Sequence, residues 1–140
     1  MRTSAEYIVS SNPPMVIKRF EGRVDINIIK KAAYAIWEDE NYDIYMKELI
    51  DLRGCTFDTR LSEITKLAIF LLKNNNTSKG FIALLIDSKE GIAKSLILNS
   101  KVSRLMNMHV VTDLNEALRN LGISEEIYEK VSSQKINKIW

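Results

Sequence analysis

The residues with the most chemistry to offer lie close together. Positions 53–62 read Arg53-Gly54-Cys55-Thr56-Phe57-Asp58-Thr59-Arg60-Leu61-Ser62. Leu61, Ile64, Leu67, Ala68, Leu71 and Leu72 recur at helical spacing, so a helix is predicted to begin inside this stretch. A helix N-terminus presents unpaired N–H groups and a partial positive charge, which favours anions. Thr56, Thr59 and Ser62 add hydroxyl donors, and Arg53 and Arg60 are of the type that grips a carboxylate or phosphate through two bonds. Arg53, Gly54, Thr56, Asp58, Thr59, Arg60 and Ser62 are therefore the candidate binding residues. In the blander alternative, Asp58 or Thr59 caps the helix and both arginines are solvated.

Catalytic chemistry finds less material. Cys55 and His109 are the sole cysteine and histidine, far apart in sequence, and cannot supply a zinc site without several carboxylates. His109 falls at the start of a predicted buried strand and reads as structural; a Cys55–His109 nucleophilic pair is the weaker alternative. Glu38-Asp39-Glu40 lies in a polar connection, and no general base poised near neutral pH is evident. The five glycines, at positions 22, 54, 80, 91 and 122, are isolated and build neither a P-loop nor a dinucleotide fingerprint. The sequence predicts no catalytic residues, no metal and no cofactor.

The elements that must position these residues follow from periodicity and punctuation. Tyr7–Val9 reads as a short strand, Ser10–Pro14 as a turn, and Met15–Phe20 as a second strand stopped by Gly22. Asp25 is placed as the N-cap of a helix carrying Ile28, Ile29, Ala32, Ala33, Ile36 and Trp37. Glu48–Arg53 is strand-like, and the apolar run Phe81–Ile86 suits a strand covered on both faces. Asp87 with Glu90, and Asp113 with Glu116, have the capping spacing for two further helices, with His109–Val111 as a strand between them. Gly122 sits where a helix C-cap belongs, and a short helix is expected from Ser124 to about Val131. The predicted fold class is α/β: a mixed, mostly parallel sheet of about five strands, with an N-terminal hairpin and helices packed against it. One domain fits the 140 residues, with 132–140 as a flexible or docking tail. Tyr34, Trp37, Tyr42 and Tyr45 cluster near the first helix and read as core plugs before interface anchors.

Composition narrows the partners. The net charge is +2, and the longest basic clusters are the pairs Lys18-Arg19 and Lys30-Lys31, which read as solvated, so nucleic acid is not expected. The longest apolar runs, Leu67–Leu72 and Phe81–Ile86, are far short of a membrane span. A lone cysteine and an N-terminus without an apolar leader predict a cytoplasmic chain.

Glu48-Leu49-Ile50-Asp51-Leu52-Arg53-Gly54-Cys55-Thr56-Phe57-Asp58 resembles the signature of STAS domains, named for sulphate transporters and anti-sigma-factor antagonists, in which a strand ending Asp-Leu-x-Gly leads into a helix. The hairpin, Gly22, the Ala83-Leu84-Leu85-Ile86-Asp87 strand and the Thr112–Leu121 segment also fit, so the likeness runs from about Met15 to Gly122. It is nearest to small stand-alone bacterial members without assigned activity. Switching members carry Asp-Ser-Ser-Gly at the helix start, with the second serine phosphorylated. Here the stretch is Asp58-Thr59-Arg60-Leu61, so Arg60 falls on the acceptor position, and Thr59 and Ser62 are the remaining candidates for phosphorylation.

The resemblance implies a non-catalytic regulatory or interaction module. It would bind a protein partner, or a second copy of itself, through the loop and helix after the third strand. The alternative is a carrier or sensor of a small anionic or amphipathic, lipid-like ligand. Such a carrier would be expected to hold a cavity on the order of several hundred Å³.

Overall fold

The computed structural model describes residues 3–139. In chain order the elements are β1 (Ser4–Ser11), β2 (Pro14–Glu21), β3 (Arg23–Val24), α1 (Ile26–Trp37), β4 (Lys47–Asp51), β5 (Thr56–Phe57), α2 (Leu61–Lys73), β6 (Phe81–Leu85), α3 (Lys89–Val102), β7 (Asn107–Val111), α4 (Leu114–Leu121), α5 (Glu125–Ser132) and β8 (Asn137–Lys138). Six strands form one sheet in the order β7-β6-β4-β2-β1-β8, and β3 pairs with β5 in a separate two-stranded ladder. The chain is α/β, with β2, β4, β6 and β7 parallel and the β1–β2 hairpin antiparallel.

The hairpin is longer than its apolar pattern suggests. Ser11 pairs with Pro14 and Ser10 with Met15, so only Asn12-Pro13 remains as the turn. Three of the four expected helix starts hold: Asp25, Asp113 and Ser124 accept from the backbone N–H groups of Ile28, Glu116 and Ile127. Gly122 ends α4 in the left-handed region at φ 64°, which a side chain would disfavour. The fourth start is displaced by one residue. Ser88, not Asp87, caps α3 by accepting from the Gly91 N–H at 3.0 Å. Asp87 instead accepts from the Gly54 N–H at 3.0 Å and ties the loop after β4 to the end of β6.

Because side chains alternate along a strand, each face of the sheet is set by parity. Phe20, Leu52, Ile82, Leu84, Ile86 and Met108 face Ala32 of α1, Ala68 of α2 and Val102 of α3. Met15, Ile17, Leu49, Ala83, Leu85 and Val111 face Ala117 and Leu121 of α4 and Val131 of α5. The result is a sheet between two helical layers. At its carboxyl end Asp51, Leu85 and Val111 lie in register, which brings the 53–62 loop, Asp87-Ser88 and Asp113 to the same end. Residues 134–139 run back along the hairpin. Asn137 and Lys138 pair with Tyr7 and Glu6, and Ile139 packs on the α1–α3 face. Trp140 lies outside the described residues.

Candidate functional site

The loop after β4 is held largely by its own contacts. Arg53 reaches back to Asp51 with both arms of its guanidinium, Nε to Oδ1 at 3.0 Å and Nη2 to Oδ2 at 2.8 Å, so its fork is engaged within the chain. Gly54 turns the chain at φ +75° while its N–H reaches Asp87. Thr56 is exposed in β5, where its N–H donates to the Gly22 carbonyl. Asp58 is exposed and pairs with Arg23 at 3.7 Å. Neither Asp58 nor Thr59 caps α2. The N-cap position is Arg60, whose side chain makes no capping bond, while its N–H donates to Glu63 Oε1 at 3.2 Å. The extended conformation of Arg60 moves the helix start past both residues with capping oxygens. Arg60 and Ser62 point to solvent, as does Leu61, 64% exposed, whereas half-buried Thr59 turns inward.

Cys55 is buried, and its thiol donates to the Phe20 carbonyl at 3.1 Å. Burial first, then the carboxylates of Asp51, Asp87 and Glu21, push its pKa up to about 11, which removes thiolate character near neutrality. His109 is exposed, not buried as its strand suggested. β7 is the outermost strand, and of the side chains sharing its parity only Val111 is buried. Among the described residues no three His, Cys, Asp or Glu side chains converge as a metal would require. No helix among them is long and apolar enough to cross a membrane.

Thr59 leads into a cavity of about 130 Å³ between the sheet and the α1–α3 layer. Its walls are largely apolar, with Ile29 and Ala33 from α1, Ile64 and Leu67 from α2, Leu98 from α3, and Ile50, Ile82, Leu84 and Met108 from the sheet. Trp37 and Tyr42 line it as well. The Tyr42 hydroxyl donates to the Asn76 carbonyl at 2.8 Å. Burial and, less strongly, the Glu48 charge hold the Tyr42 phenol well above its ordinary range. The other aromatics divide. Tyr34, Trp37 and Phe70 pack ring against ring at 5.5–5.6 Å, while Tyr45 is 68% exposed.

Three charged residues also line this cavity, and two of them, Lys18 and Glu48, form a buried pair that the sequence did not announce. Lys18 Nζ lies 3.5 Å from Glu48 Oε1, with the side chains only 12% and 7% exposed. Lys18-Arg19 is thus not a solvated pair: Lys18 faces the cavity, and Arg19 is partly buried beside Glu6 at 3.8 Å. The available signal was parity. Lys18 shares its face with Val16 and Phe20, and Glu48 shares its own with Ile50 and Leu52, so two adjacent strands place a charge among inward apolar positions. Lys94, at another part of the wall, is tied to the Phe57 carbonyl at 2.9 Å and to Glu90 at 2.7 Å. The chain matches no protein-family model and no curated protein.

Proposed function

We propose that this chain is a non-catalytic binding module that takes a small, largely apolar ligand into the cavity between the sheet and α1–α3. The cavity itself carries the reading. A partly open hollow of about 130 Å³ in an otherwise close-packed interior leaves its lining atoms without partners on one side. A site that a ligand fills accounts for keeping it. The volume is smaller than the several hundred Å³ expected of a lipid carrier, and it suits a molecule of benzene's size, since a ~150 Å³ apolar cavity takes up benzene or xenon. The non-catalytic part rests on Cys55 and His109, one buried with a raised pKa and the other exposed on an outer strand.

The resemblance to STAS domains supports a sensing or regulatory use of that site. Thr59 lines the cavity, and exposed Arg60, Leu61 and Ser62 follow it directly, so a bound molecule would sit one residue away from a surface available to a partner. The exposed Leu61 favours a protein partner at this helix start as a second reading. It predicts that Arg60→Ala with Leu61→Ser abolishes capture of a partner while the melting temperature stays put. Retention of every partner would remove the surface from consideration.

Xenon tests the cavity directly. With methyl-labelled protein under xenon pressure, the resonances of Ile29, Ile50, Leu67 and Leu84 should shift, and those of Leu49, Leu121 and Val131 should not. Unmoved resonances throughout would mean that the cavity does not admit a ligand. Native mass spectrometry of gently purified protein would then identify a resident molecule as mass lost on denaturation.

A further inference from the structure

The polar end of this cavity is specific enough to say what kind of head group it takes. We infer that the ligand is a small amphipath whose polar group is uncharged and both donates and accepts, such as an alcohol or a primary amide. The inference rests on the cavity being the binding site.

Lys18 and Glu48 form a buried pair in its wall. Glu48 is 5% exposed and lies among apolar neighbours. Its one partner among the described residues is Lys18, at 3.5 Å, well beyond the 2.7–2.9 Å of a good charge-assisted bond. A carboxylate can accept about four hydrogen bonds and an ammonium can donate three. Acceptors of Glu48 and donors of Lys18 therefore remain unengaged by the protein, side by side on the wall of one cavity. An alcohol or amide placed between them accepts from Lys18 and donates to Glu48, engaging both groups without adding a charge.

The other ligand classes do worse on the same grounds. Lys18 and Glu48 together are neutral, so a carboxylate head would leave one net negative charge buried, and an ammonium head one net positive charge. A hydrocarbon would fill the volume but leave both polar groups facing an apolar surface. Of the cavity hydroxyls, those of Tyr42 and Thr77 already donate to the Asn76 and Leu71 carbonyls, and that of Ser78 accepts from the Gly80 N–H. Lys94 is tied to Phe57 and Glu90. These groups are engaged elsewhere, unlike Lys18 and Glu48.

A set of near-isosteric probes separates these classes: benzyl alcohol, benzamide, toluene, benzoate and benzylamine, each titrated at pH 7 into the intact chain by NMR. Benzyl alcohol and benzamide should bind roughly ten-fold tighter than toluene, and benzoate and benzylamine at least roughly ten-fold weaker than the alcohol. In the double variant K18M/E48L the preference for alcohol over toluene should reverse. Toluene binding as well as the alcohol to the natural chain, or a charged member binding best, overturns the inference and leaves the cavity proposal standing. The same holds if xenon enters and no benzyl compound does. Failure of xenon to enter removes the cavity proposal itself. Because the natural chain alone yields the ranking, the test does not depend on the double variant folding.

Discussion

The two faces of the sheet are made from the same strands and covered by the same kind of element, yet one is sealed and the other is not. On the α4–α5 side, Met15, Ile17, Leu49, Ala83, Leu85 and Val111 are all exposed by 2% or less, and none of them lines the cavity. On the α1–α3 side the strands contribute Lys18 and Glu48 among apolar residues, and the helices leave an open volume over them. Alternation along the strand explains how both can occur in one sheet, since neighbouring residues belong to different cores. The difference teaches that close packing is within reach of this chain, because it is achieved one residue away. A cavity opposite that core is a property of the particular side chains around it.

The sharpest way to break the comparison is to unbalance the buried pair. Glu48→Ala leaves Lys18 among apolar walls without a counter-charge and should cost about 3–5 kcal/mol, whereas K18M/E48L should leave stability unchanged or raise it. Urea unfolding of the two variants decides it. Equal losses would mean that the pair contributes through packing and not through charge.

A matched pair of alanines tests the packing itself. Ala117 of α4 is fully buried on the sealed face, and Ala33 of α1 lines the cavity. Ala117→Leu should cost about 1–3 kcal/mol by overpacking. Ala33→Leu should be neutral or stabilise by up to about 2 kcal/mol as the added carbons fill empty volume, and it should abolish xenon uptake. If both variants lose stability equally, the two faces are packed alike in solution.

The smallest effect is expected at Cys55, on the cavity side. A thiol raised from 9 to about 11 holds roughly 100-fold less thiolate at pH 8 than a free one, so alkylation by iodoacetamide should slow at least that much until the chain unfolds. Since the folded state holds this proton more tightly than the unfolded chain, its contribution is complete below pH 9 and is lost as pH rises toward 11. Cys55→Ala should remove that part of the alkaline decline. An unchanged slope would mean that the thiol is not held as its surroundings indicate.

Much of the architecture was legible in the residues because it is written in strong local signals. The apolar run Phe81–Ile86, the helical spacing of Ile28 to Trp37, and the caps at Asp25, Asp113 and Gly122 each act within a few residues, and each appears where expected. Weaker signals failed in identifiable ways. β3, β5 and β8 are two residues each, too short to show a period. Asp87 has capping chemistry, but Gly54, distant in sequence, claims its carboxylate. The candidate site was legible only in part. The loop of Arg53 to Ser62 stands out by composition, whereas the cavity is assembled from eight elements and announces itself only through Lys18 and Glu48 at inward parity. A charge in an apolar strand reads as solvated until the neighbouring strand is known to hold its partner.

The short β8 has a consequence for how this molecule keeps apart from its neighbours. An outer strand offers a row of free backbone groups on which another chain can add, and β1 would be that strand. Asn137 and Lys138 occupy part of this edge, Lys138 Nζ clamps Glu6 at 2.7 Å, and the Ile139 N–H donates to the Ala5 carbonyl at 3.0 Å. A two-residue ladder thus blocks strand addition along part of the β1 edge. Prising it loose would bare the β1 edge and withdraw Ile139 from the α1–α3 core.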